Sequence, residues 1–268
     1  MRAVVLAGGR GTRLRRPSPG TRLDAAQTAA ADRGLKALVP FGGRPFLDYG
    51  LSRLADAGVG EVVVVIGPAS EAIRNHYRTA PPARVRVAFA EQLEARGSAD
   101  ALLAAEPLTE GAEFLAMNSD DVYPPSALRG LIELGRPGLP VFSGATLVSH
   151  GNFPPERLAR FATLEIDGNG ELRGIVEKPA GDEAGAGRHD VWYSMNLWRF
   201  SPAIFEACQR VSFSSRGERE LPQAVGFGIA GLGLSFRTFP CAEGVIDLST
   251  RDDVEGVAAR LAGETARP

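Results

Sequence analysis

The chain has 268 residues, of which 44% are hydrophobic and 23% are charged, and its formal net charge is -2. This length fits one large globular domain or two small ones with a substantial core, and the charge is too close to neutral for general nucleic-acid binding. The two cysteines, Cys208 and Cys241, indicate neither a disulfide framework nor a zinc cluster.

No segment predicts a membrane span or an export signal. Every apolar run falls short of the roughly 18 residues that cross a bilayer, and Met1 and Arg2 lead directly into an apolar strand. We therefore expect a chain without membrane association, in a reduced cytoplasmic setting. The sequence is compatible with a homo-oligomer and does not specify one.

The first predicted strand, residues 3–7, runs directly into a glycine-rich loop. Three glycines follow one another closely, at Gly8, Gly9 and Gly11, and Arg13 adds a permanent positive charge. Glycine permits close backbone approaches, and successive exposed N–H groups form an anion-binding nest. The loop lacks the last glycine of the dinucleotide fingerprint and the Lys-Ser/Thr pair of the P-loop. It predicts a phosphate-bearing ligand; the alternative is a plain strand-to-helix turn.

The rest of the first half alternates between strand and helix patterns. It predicts strands at residues 61–67, 85–90 and 113–118, an extended piece at 37–41, and helices at 46–57, 70–77 and 98–105. This alternation favours an α/β fold with a doubly wound, mainly parallel open sheet of Rossmann-like type. Ligands of such sheets bind beyond the carboxyl ends of the strands.

Residues 14–35 interrupt this pattern. They show no apolar periodicity and are rich in Arg, Ala and Pro. Two interpretations remain open: a flexible lid over a phosphate site, or a solvated surface loop.

The second half is predicted to be richer in β-structure. It contains a hairpin of residues 161–166 and 171–176, strands at 191–200 and 235–240, and helices at 202–210 and near 251–261, with a mobile loop at 182–188. No linker separates the halves. We expect a single domain over residues 1–268, with a nucleotide-binding half of about 1–150 and a substrate-binding half of about 151–268.

Two acidic positions are candidates for a metal site. Asp120 follows the strand at 113–118, so it faces the crevice at the carboxyl ends of the strands. Mg²⁺ prefers one or two carboxylates together with phosphate oxygens and water, so Asp120 and the glycine loop together predict a Mg²⁺ cofactor. Without the glycine loop, the acidic pair Asp120-Asp121 fits a turn or a helix cap equally well. Asp247 precedes a predicted helix start, and its spacing alone favours a helix-capping or turn role.

Other candidate groups give weaker signals. Lys178, beside Glu177 at a strand end, fits a phosphate partner, although Glu-Lys pairs are common on surfaces. The histidines show no spacing typical of a ligand set or a triad, and no G-x-S-x-G elbow occurs. Nucleophilic hydrolase chemistry therefore has no support.

Together these features resemble the sugar-1-phosphate nucleotidylyltransferases, over about residues 3 to 257. The resemblance rests on residues 6–14 (LAGGRGTRL), 36–40 (KALVP) and 43–49 (GRPFLDY), Ala57-Gly58, Gln92 with Gly97, Asn118-Ser119-Asp120, Glu177-Lys178-Pro179 and Asp247. The first segment is highly specific, and the later ones reinforce one another. The resemblance implies transfer of a nucleotidyl group from an NTP to a sugar-1-phosphate, with release of pyrophosphate.

The resemblance also implies a role for each matching residue. The nucleotide would be held by Leu6, Gly8, Gly9, Gly11, Thr12, Gln92 and Gly97. The phosphates at the reacting centre would be bound by Arg13, Lys36 and Lys178. Mg²⁺ would be bound by Asp120 and Asp247. The sugar phosphate would be bound by Asp120, Ala162, Glu177, Lys178 and Asn196.

The chain departs from the family at three places. Residues 14–35 are longer than in the usual members. Asn196 stands where a bare backbone is usual, and Ala162 replaces a glycine that lies against the sugar. The expected acceptor is therefore a sugar-1-phosphate or a sugar-like cyclitol phosphate.

Gln92 bears on the choice of base. Its spacing to Gly97 is similar to that of the glutamine that reads pyrimidines in thymidylyl- and uridylyl-transferring members. An amide supplies both a donor and an acceptor to the imide edge of uracil or thymine. We therefore expect UTP or dTTP in preference to GTP.

Two other functions remain as alternatives. A nucleotide-sugar-dependent glycosyltransferase also places acidic residues at a strand end, but it has no need of a triphosphate-binding loop. A non-catalytic nucleotide-sugar sensor would not need to keep Arg13, Lys36, Asp120, Lys178 and Asp247 together.

Overall fold

A computed structural model describes residues 1–176 and 191–268 of the chain. Glu177, Lys178 and the loop predicted at 182–188 lie outside the described residues.

The strands of the described residues are β1 (Arg2–Leu6), β2 (Pro40–Phe41), β3 (Arg44–Pro45), β4 (Glu61–Ile66), β5 (Arg86–Glu91), β6 (Phe114–Asn118), β7 (Asp121–Val122), β8 (Gly138–Ser143), β9 (Thr163–Ile166), β10 (Leu172–Val176), β11 (Trp192–Tyr193), β12 (Trp198–Phe200), β13 (Arg237–Pro240) and β14 (Ile246–Asp247). Their α-helices are α1 (Thr12–Arg15), α2 (Ala25–Asp32), α3 (Phe46–Asp56), α4 (Glu71–Thr79), α5 (Ser98–Ala104), α6 (Glu106–Thr109), α7 (Pro125–Glu133), α8 (Gly144–Ser149), α9 (Ile204–Arg210), α10 (Leu221–Leu232) and α11 (Asp253–Arg260). Short 3-10 helices cover Lys36–Leu38, Pro68–Ser70 and Pro155–Arg160.

One mixed sheet of ten strands runs through both halves of the described chain. Its order is β10-β9-β11-β8-β12-β6-β1-β4-β5, and β13 pairs with β8. The strands β6, β1, β4 and β5 are parallel, whereas β12, β11, β9 and β10 continue the sheet through antiparallel pairs. The predicted α/β fold, with a parallel first half and a β-rich second half, is confirmed.

Strand β1 lies where the strand order reverses, with β4 on one side and β6 on the other. Leu6, its last residue, is opposite Val65 of β4 and Asn118 of β6. Open α/β sheets bind ligands at such a switch point, beyond the carboxyl ends of the strands. The glycine loop leaves β1 at this edge, and Asp120 follows β6 at the same edge.

Helices cover both faces of the parallel strands. Val5 belongs to an apolar cluster with Leu51 of α3, and Val4 to a second cluster with Leu102 of α5, all fully buried. Alternate side chains of a strand point to opposite faces, so neither face of β1 is open to water. The continuous apolar run of β4 predicted this double coverage.

Residues 14–35 contain a docked helix. A loop is predicted for this segment, and the prediction is wrong for α2, which begins with Asp24 as its N-cap. The helix is largely alanine, a strong helix former, so its sequence carries little apolar periodicity. Ala31 packs in a third cluster with Leu14 and with Val254 of α11. The segment is therefore anchored to the far end of the chain.

The strand predicted at 191–200 is interrupted. Strands β11 and β12 occupy its two parts, and Asn196 between them has a φ of 55°. A residue in this left-handed region cannot continue an extended strand. Sequence reasoning also missed β8, which pairs with β11, β12 and β13.

Within the described residues, no helix combines the length and the apolar character needed to cross a membrane.

Candidate active site

A cavity of about 270 Å³ lies under the glycine loop at the switch point. Its lining comes from the loop after β1, from the segment before β2 and from the end of β6. Among the lining residues are Leu6, Gly9, Gly11, Thr12, Arg13, Lys36 and Asp120. The fold thus brings together residues that the sequence suggested for binding phosphates.

The backbone explains two of the three glycines in the loop. Gly11 has a φ of 59°, and a Cβ at this position would lie 2.0 Å from the carbonyl oxygen of Gly34. A Cβ on Gly8 would lie 3.2 Å from Oε1 of Gln92. Gly9, in contrast, has open space around its Cβ position. The backbone therefore requires glycine at Gly11. At Gly9 it has room for a side chain.

Lys36 and Asp120 form an ion pair in the cavity wall. Lys36 Nζ lies 2.7 Å from Asp120 Oδ2, and the two side chains are 14% and 27% exposed. Burial alone would raise the pKa of Asp120, but the charge of Lys36 and its hydrogen bond, with a smaller effect of Arg13, lower it below its usual value. Asp120 is therefore ionised at neutral pH.

Two further carboxylates lie beside Asp120. Asp121 of β7 pairs with Asp247 of β14, and the N–H of Leu248 donates to the carbonyl of Asp120 at 2.9 Å. Burial, followed by the charges of Asp120 and Asp247, raises the pKa of Asp121 well above its usual range. Burial and the charge of Asp120 raise the pKa of Asp247 to about 6. This carboxylate cluster (Asp120, Asp121 and Asp247) attracts positive charge.

Asp247 is not a helix cap, so the capping role favoured by its spacing is wrong. The N–H groups of Ser249 and Thr250 donate instead to Asp253, at 3.0 and 2.6 Å. The side chain of Asp247 accepts hydrogen bonds from Arg157 and from the Ser249 hydroxyl, at 2.7 and 3.0 Å. Arg157 and Ser249 thus hold this carboxylate, and the charge of Asp120 is near enough to raise its pKa.

Gln92 lies beside the glycine loop and is fixed in one orientation. Its Nε2 donates to the carbonyl of Gly97 and to Asp100, both at 3.0 Å. Two acceptors facing one terminal atom identify that atom as the nitrogen, so Oε1 lies on the side of Gly8. Gly8 also lines a second cavity, of about 490 Å³, together with Gly67 and Leu93.

Ala162 and Asn196 lie on the antiparallel side of the sheet and, although both are described, line neither cavity. Ser194 links them: its N–H donates to the carbonyl of Ala162, and its hydroxyl accepts the N–H of Asn196. Tyr123 ties this segment to the carboxylate cluster, because its hydroxyl lies 2.6 Å from the carbonyl of Met195 and 3.2 Å from Asp121. Ala162 and Asn196 are thus placed together, next to the cluster.

Sequence reasoning missed the residues that hold Asp247. Asn152 and Arg157 contact it although they lie 95 and 90 positions away in the chain, and no local spacing signals such a contact. Asp253, which Arg157 also binds, reads in the sequence as an ordinary acidic residue at a helix start.

Comparison with known proteins decides the family. A family model described as Nucleotidyl transferase matches residues 2–226. The chain belongs to the nucleotidyl transferase family. This confirms the resemblance seen in the sequence and identifies the chain as a nucleotidyltransferase enzyme.

Individual relatives agree with this assignment. The UTP–glucose-1-phosphate uridylyltransferase AglF of Haloferax volcanii is 28% identical over 267 residues, covering 100% of this chain and 99% of that protein. A glucose-1-phosphate thymidylyltransferase of Streptomyces antibioticus is 29% identical over 225 residues, covering 84% of this chain and 56% of that protein. A solved UDP-glucose pyrophosphorylase in complex with UDP-glucose has the same fold, with a TM-score of 0.74 at 14% identity and coverage of 98% and 99%.

Proposed function

We propose that this nucleotidyltransferase moves a uridylyl or thymidylyl group from UTP or dTTP to a sugar-1-phosphate and releases pyrophosphate. The observation that carries the proposal is the cavity in which the glycine loop, Arg13 and the Lys36–Asp120 pair meet. The names of the two similar proteins, a uridylyltransferase and a thymidylyltransferase for glucose-1-phosphate, support it.

The reaction needs no catalytic nucleophile from the protein. An oxygen of the acceptor phosphate attacks the α-phosphorus of the NTP, a new P–O bond forms, and the bond to the bridging oxygen of the departing pyrophosphate breaks. The second pKa of a phosphate monoester is about 6, so the attacking group is already ionised at neutral pH. The enzyme must instead align two anions that repel each other.

Positive charge and N–H donors in the cavity meet this requirement. Arg13 is exposed on the lining and forms no ion pair with another described residue, so it is available to the β- and γ-phosphates. Lys36 forms an ion pair with Asp120 and would bridge phosphates near the reacting centre. Such fixed donors stabilise charge that develops on the α-phosphate and on pyrophosphate.

Mg²⁺ belongs to this proposal, with Asp120 and Asp247 as its carboxylate ligands. Among the described residues, no group of three His, Cys, Asp or Glu side chains forms a metal cage. None is needed, because Mg²⁺ commonly binds through one or two carboxylates and substrate phosphates. The donor set fits: Asp120 is ionised, and Asp121 Oδ1 is buried without a hydrogen bond in the described part of the chain. Bound Mg²⁺ would neutralise phosphate charge.

The orientation of Gln92 supports a uracil or thymine base. Because Gly97 and Asp100 occupy its nitrogen, the amide offers a ligand only its oxygen as an acceptor. The imide N–H of uracil or thymine can donate to that oxygen. Cytosine and adenine present a bare ring nitrogen at the corresponding edge and would face Oε1 without a hydrogen bond. The second cavity, next to Gly8 and Leu93, has room for the base.

The acceptor side supports a sugar-1-phosphate or a cyclitol phosphate. The side-chain oxygen of Asn196 is buried and has no hydrogen bond among the described residues, so a ligand hydroxyl would satisfy it. The left-handed backbone at this position is one that asparagine tolerates. Glu177 and Lys178 lie outside the described residues, and their proposed roles toward the acceptor rest on the resemblance to the family alone.

A pyrophosphate-release screen tests the proposal. The wild-type protein with Mg²⁺ is assayed with every pairing of UTP, dTTP, GTP, CTP and ATP with a panel of sugar-1-phosphates and cyclitol phosphates. We expect release with UTP or dTTP and at least one acceptor, and much slower release with CTP or ATP. Equal use of GTP would remove the base preference. No release with any pairing would favour the glycosyltransferase or sensor alternatives.

A further inference from the structure

We propose that Arg157 is a positioning residue, which fixes the carboxylate of Asp247 for metal binding. This inference rests on the role of Asp247 as a Mg²⁺ ligand in the proposed function. Arg157 lies in the 3-10 helix Pro155–Arg160, far in sequence from every motif of the cavity.

Arg157 joins two carboxylates through its two terminal nitrogens. Nη1 donates to Asp247 Oδ1 at 2.7 Å, and Nη2 donates to both oxygens of Asp253, at 2.9 and 3.0 Å. The guanidinium is only 13% exposed. A buried charged hydrogen bond is short and directional, so the position of Asp253 sets the plane in which Arg157 meets Asp247.

Asp253 is itself held rigidly. It accepts the N–H groups of Ser249 and Thr250, just before α11, and the hydroxyl of Thr250, at 3.0, 2.6 and 3.0 Å. Because this segment orients Asp253, and Asp253 orients the guanidinium, Arg157 meets Asp247 in a defined direction.

The segment that carries Arg157 also fixes the backbone of Asp247. The side chain of Asn152 accepts the N–H of Asp247 at 2.8 Å and donates to its carbonyl at 2.8 Å. The residues 152–157 thus hold both the main chain and the carboxylate of one residue.

The contacts leave Asp247 available to a cation. Arg157 binds Oδ1 and the Ser249 hydroxyl binds Oδ2, and each carboxylate oxygen has a second acceptor site. Without Arg157, one hydroxyl would remain to orient Asp247, next to the repelling charges of Asp120 and Asp253. Loss of a partner that orients a metal ligand typically weakens metal binding by about 10- to 100-fold.

The test measures Mn²⁺ affinity directly, by electron paramagnetic resonance, with and without UTP. The variants are Arg157→Gln, Arg157→Lys and Asp247→Asn. The control is Arg199→Lys, since Arg199 is similarly buried, at 10% exposed, and pairs with Glu113 near the other end of β6. We expect Asp247→Asn to lose binding, Arg157→Gln to weaken it by about 10-fold or more, and Arg157→Lys to lie between Arg157→Gln and wild type. Arg199→Lys should bind Mn²⁺ like wild type.

Thermal unfolding and steady-state kinetics separate positioning from a purely structural effect. We expect Arg157→Lys to unfold near the wild-type temperature, and its pyrophosphate release to recover when Mg²⁺ is raised. The proposal is overturned if Arg157→Gln and Arg157→Lys bind Mn²⁺ within twofold of wild type while Asp247→Asn does not. Wild-type Mn²⁺ affinity in Asp247→Asn overturns the metal role of Asp247, and this proposal with it. Pyrophosphate release by the wild-type protein reports separately on the transferase function.

Discussion

The glycine-loop side of the cavity, which is proposed to bind phosphates (residues 8–13, the phosphate side), differs in construction from the side formed by the carboxylate cluster (the carboxylate side). The phosphate side comes from a few neighbouring positions after β1, and its cation Arg13 is exposed on the cavity wall. The carboxylate side combines residues that lie far apart in the chain, namely Asp120, which lines the cavity, and the largely buried Arg157 and Asp247. An exposed cation is available to a ligand that arrives from water. A buried carboxylate needs a partner within the protein that compensates its charge when no ligand is bound.

This difference leads to separate expectations for the two sides. Substitutions on the phosphate side should reduce turnover and leave the fold intact, unless they alter the backbone. Substitutions that remove a charge on the carboxylate side should change stability as well, and in a pH-dependent way.

The largest expected effect concerns Arg13. Replacing it by alanine should lower turnover roughly 10²–10³-fold, the usual cost of removing one donor that stabilises transition-state charge. Arg16→Ala is the matched control, because Arg16 is exposed in the same segment and does not line the cavity. The measurement is pyrophosphate release at saturating substrates. Near-normal turnover of Arg13→Ala would remove Arg13 from the catalytic site.

The next effect concerns the backbone of the glycine loop. Gly11→Ala places a Cβ against the carbonyl of Gly34 at a φ of 59°, and we expect it to lower the free energy of unfolding by about 2–3 kcal/mol. Gly9→Ala should leave stability unchanged, because its Cβ position is open. Urea denaturation of both variants checks the contrast, and equal destabilisation would contradict it.

The smallest effect concerns the pH dependence of stability on the carboxylate side. The pKa of Asp247 is about 6 in the folded protein, against about 3.9 for an aspartate in an unfolded chain. The folded state therefore holds the proton more tightly, and stability falls as the pH rises from about 4 to about 6. Between pH 4.5 and 7.5, wild type should therefore lose about 2 kcal/mol of stability relative to Asp247→Asn, which lacks this carboxyl group.

Unfolding free energies of wild type and Asp247→Asn at pH 4.5 and 7.5, without metal, test this sign. The substitution Asp120→Asn is not a suitable control, since it would break the pair with Lys36. Asp56→Asn serves instead, because Asp56 is exposed and pairs with Arg84. The prediction is wrong if wild type gains stability relative to Asp247→Asn as the pH rises.

The same contrast shows what could be read from the sequence. The position of the glycine loop and of Arg13 at the cavity was predictable, because a strand followed by closely spaced glycines is a local pattern with a direct physical meaning. Asp120 was also predictable, since it follows an apolar strand and must lie at the ligand edge of a parallel sheet.

Long-range contacts were not predictable from a single sequence. Arg157 carries no local signal, and Asp247 looks like a helix cap until the structure shows that its side chain binds Arg157 and the Ser249 hydroxyl. Helix α2 was missed because its alanines give helix propensity without an apolar stripe. The break at Asn196 was missed because the flanking residues read as one continuous strand.

The transfer of the α-phosphorus is the central claim, and one labelling experiment tests it directly. UTP labelled with ³²P at the α-position is incubated with Mg²⁺, glucose-1-phosphate and either the wild-type protein or Lys36→Met. The account predicts that wild type moves the label into a nucleotide sugar and releases unlabelled pyrophosphate, while Lys36→Met does so at least about 10²-fold more slowly. Label that remains in UTP or appears only in UMP, or equal rates for the two proteins, would contradict it.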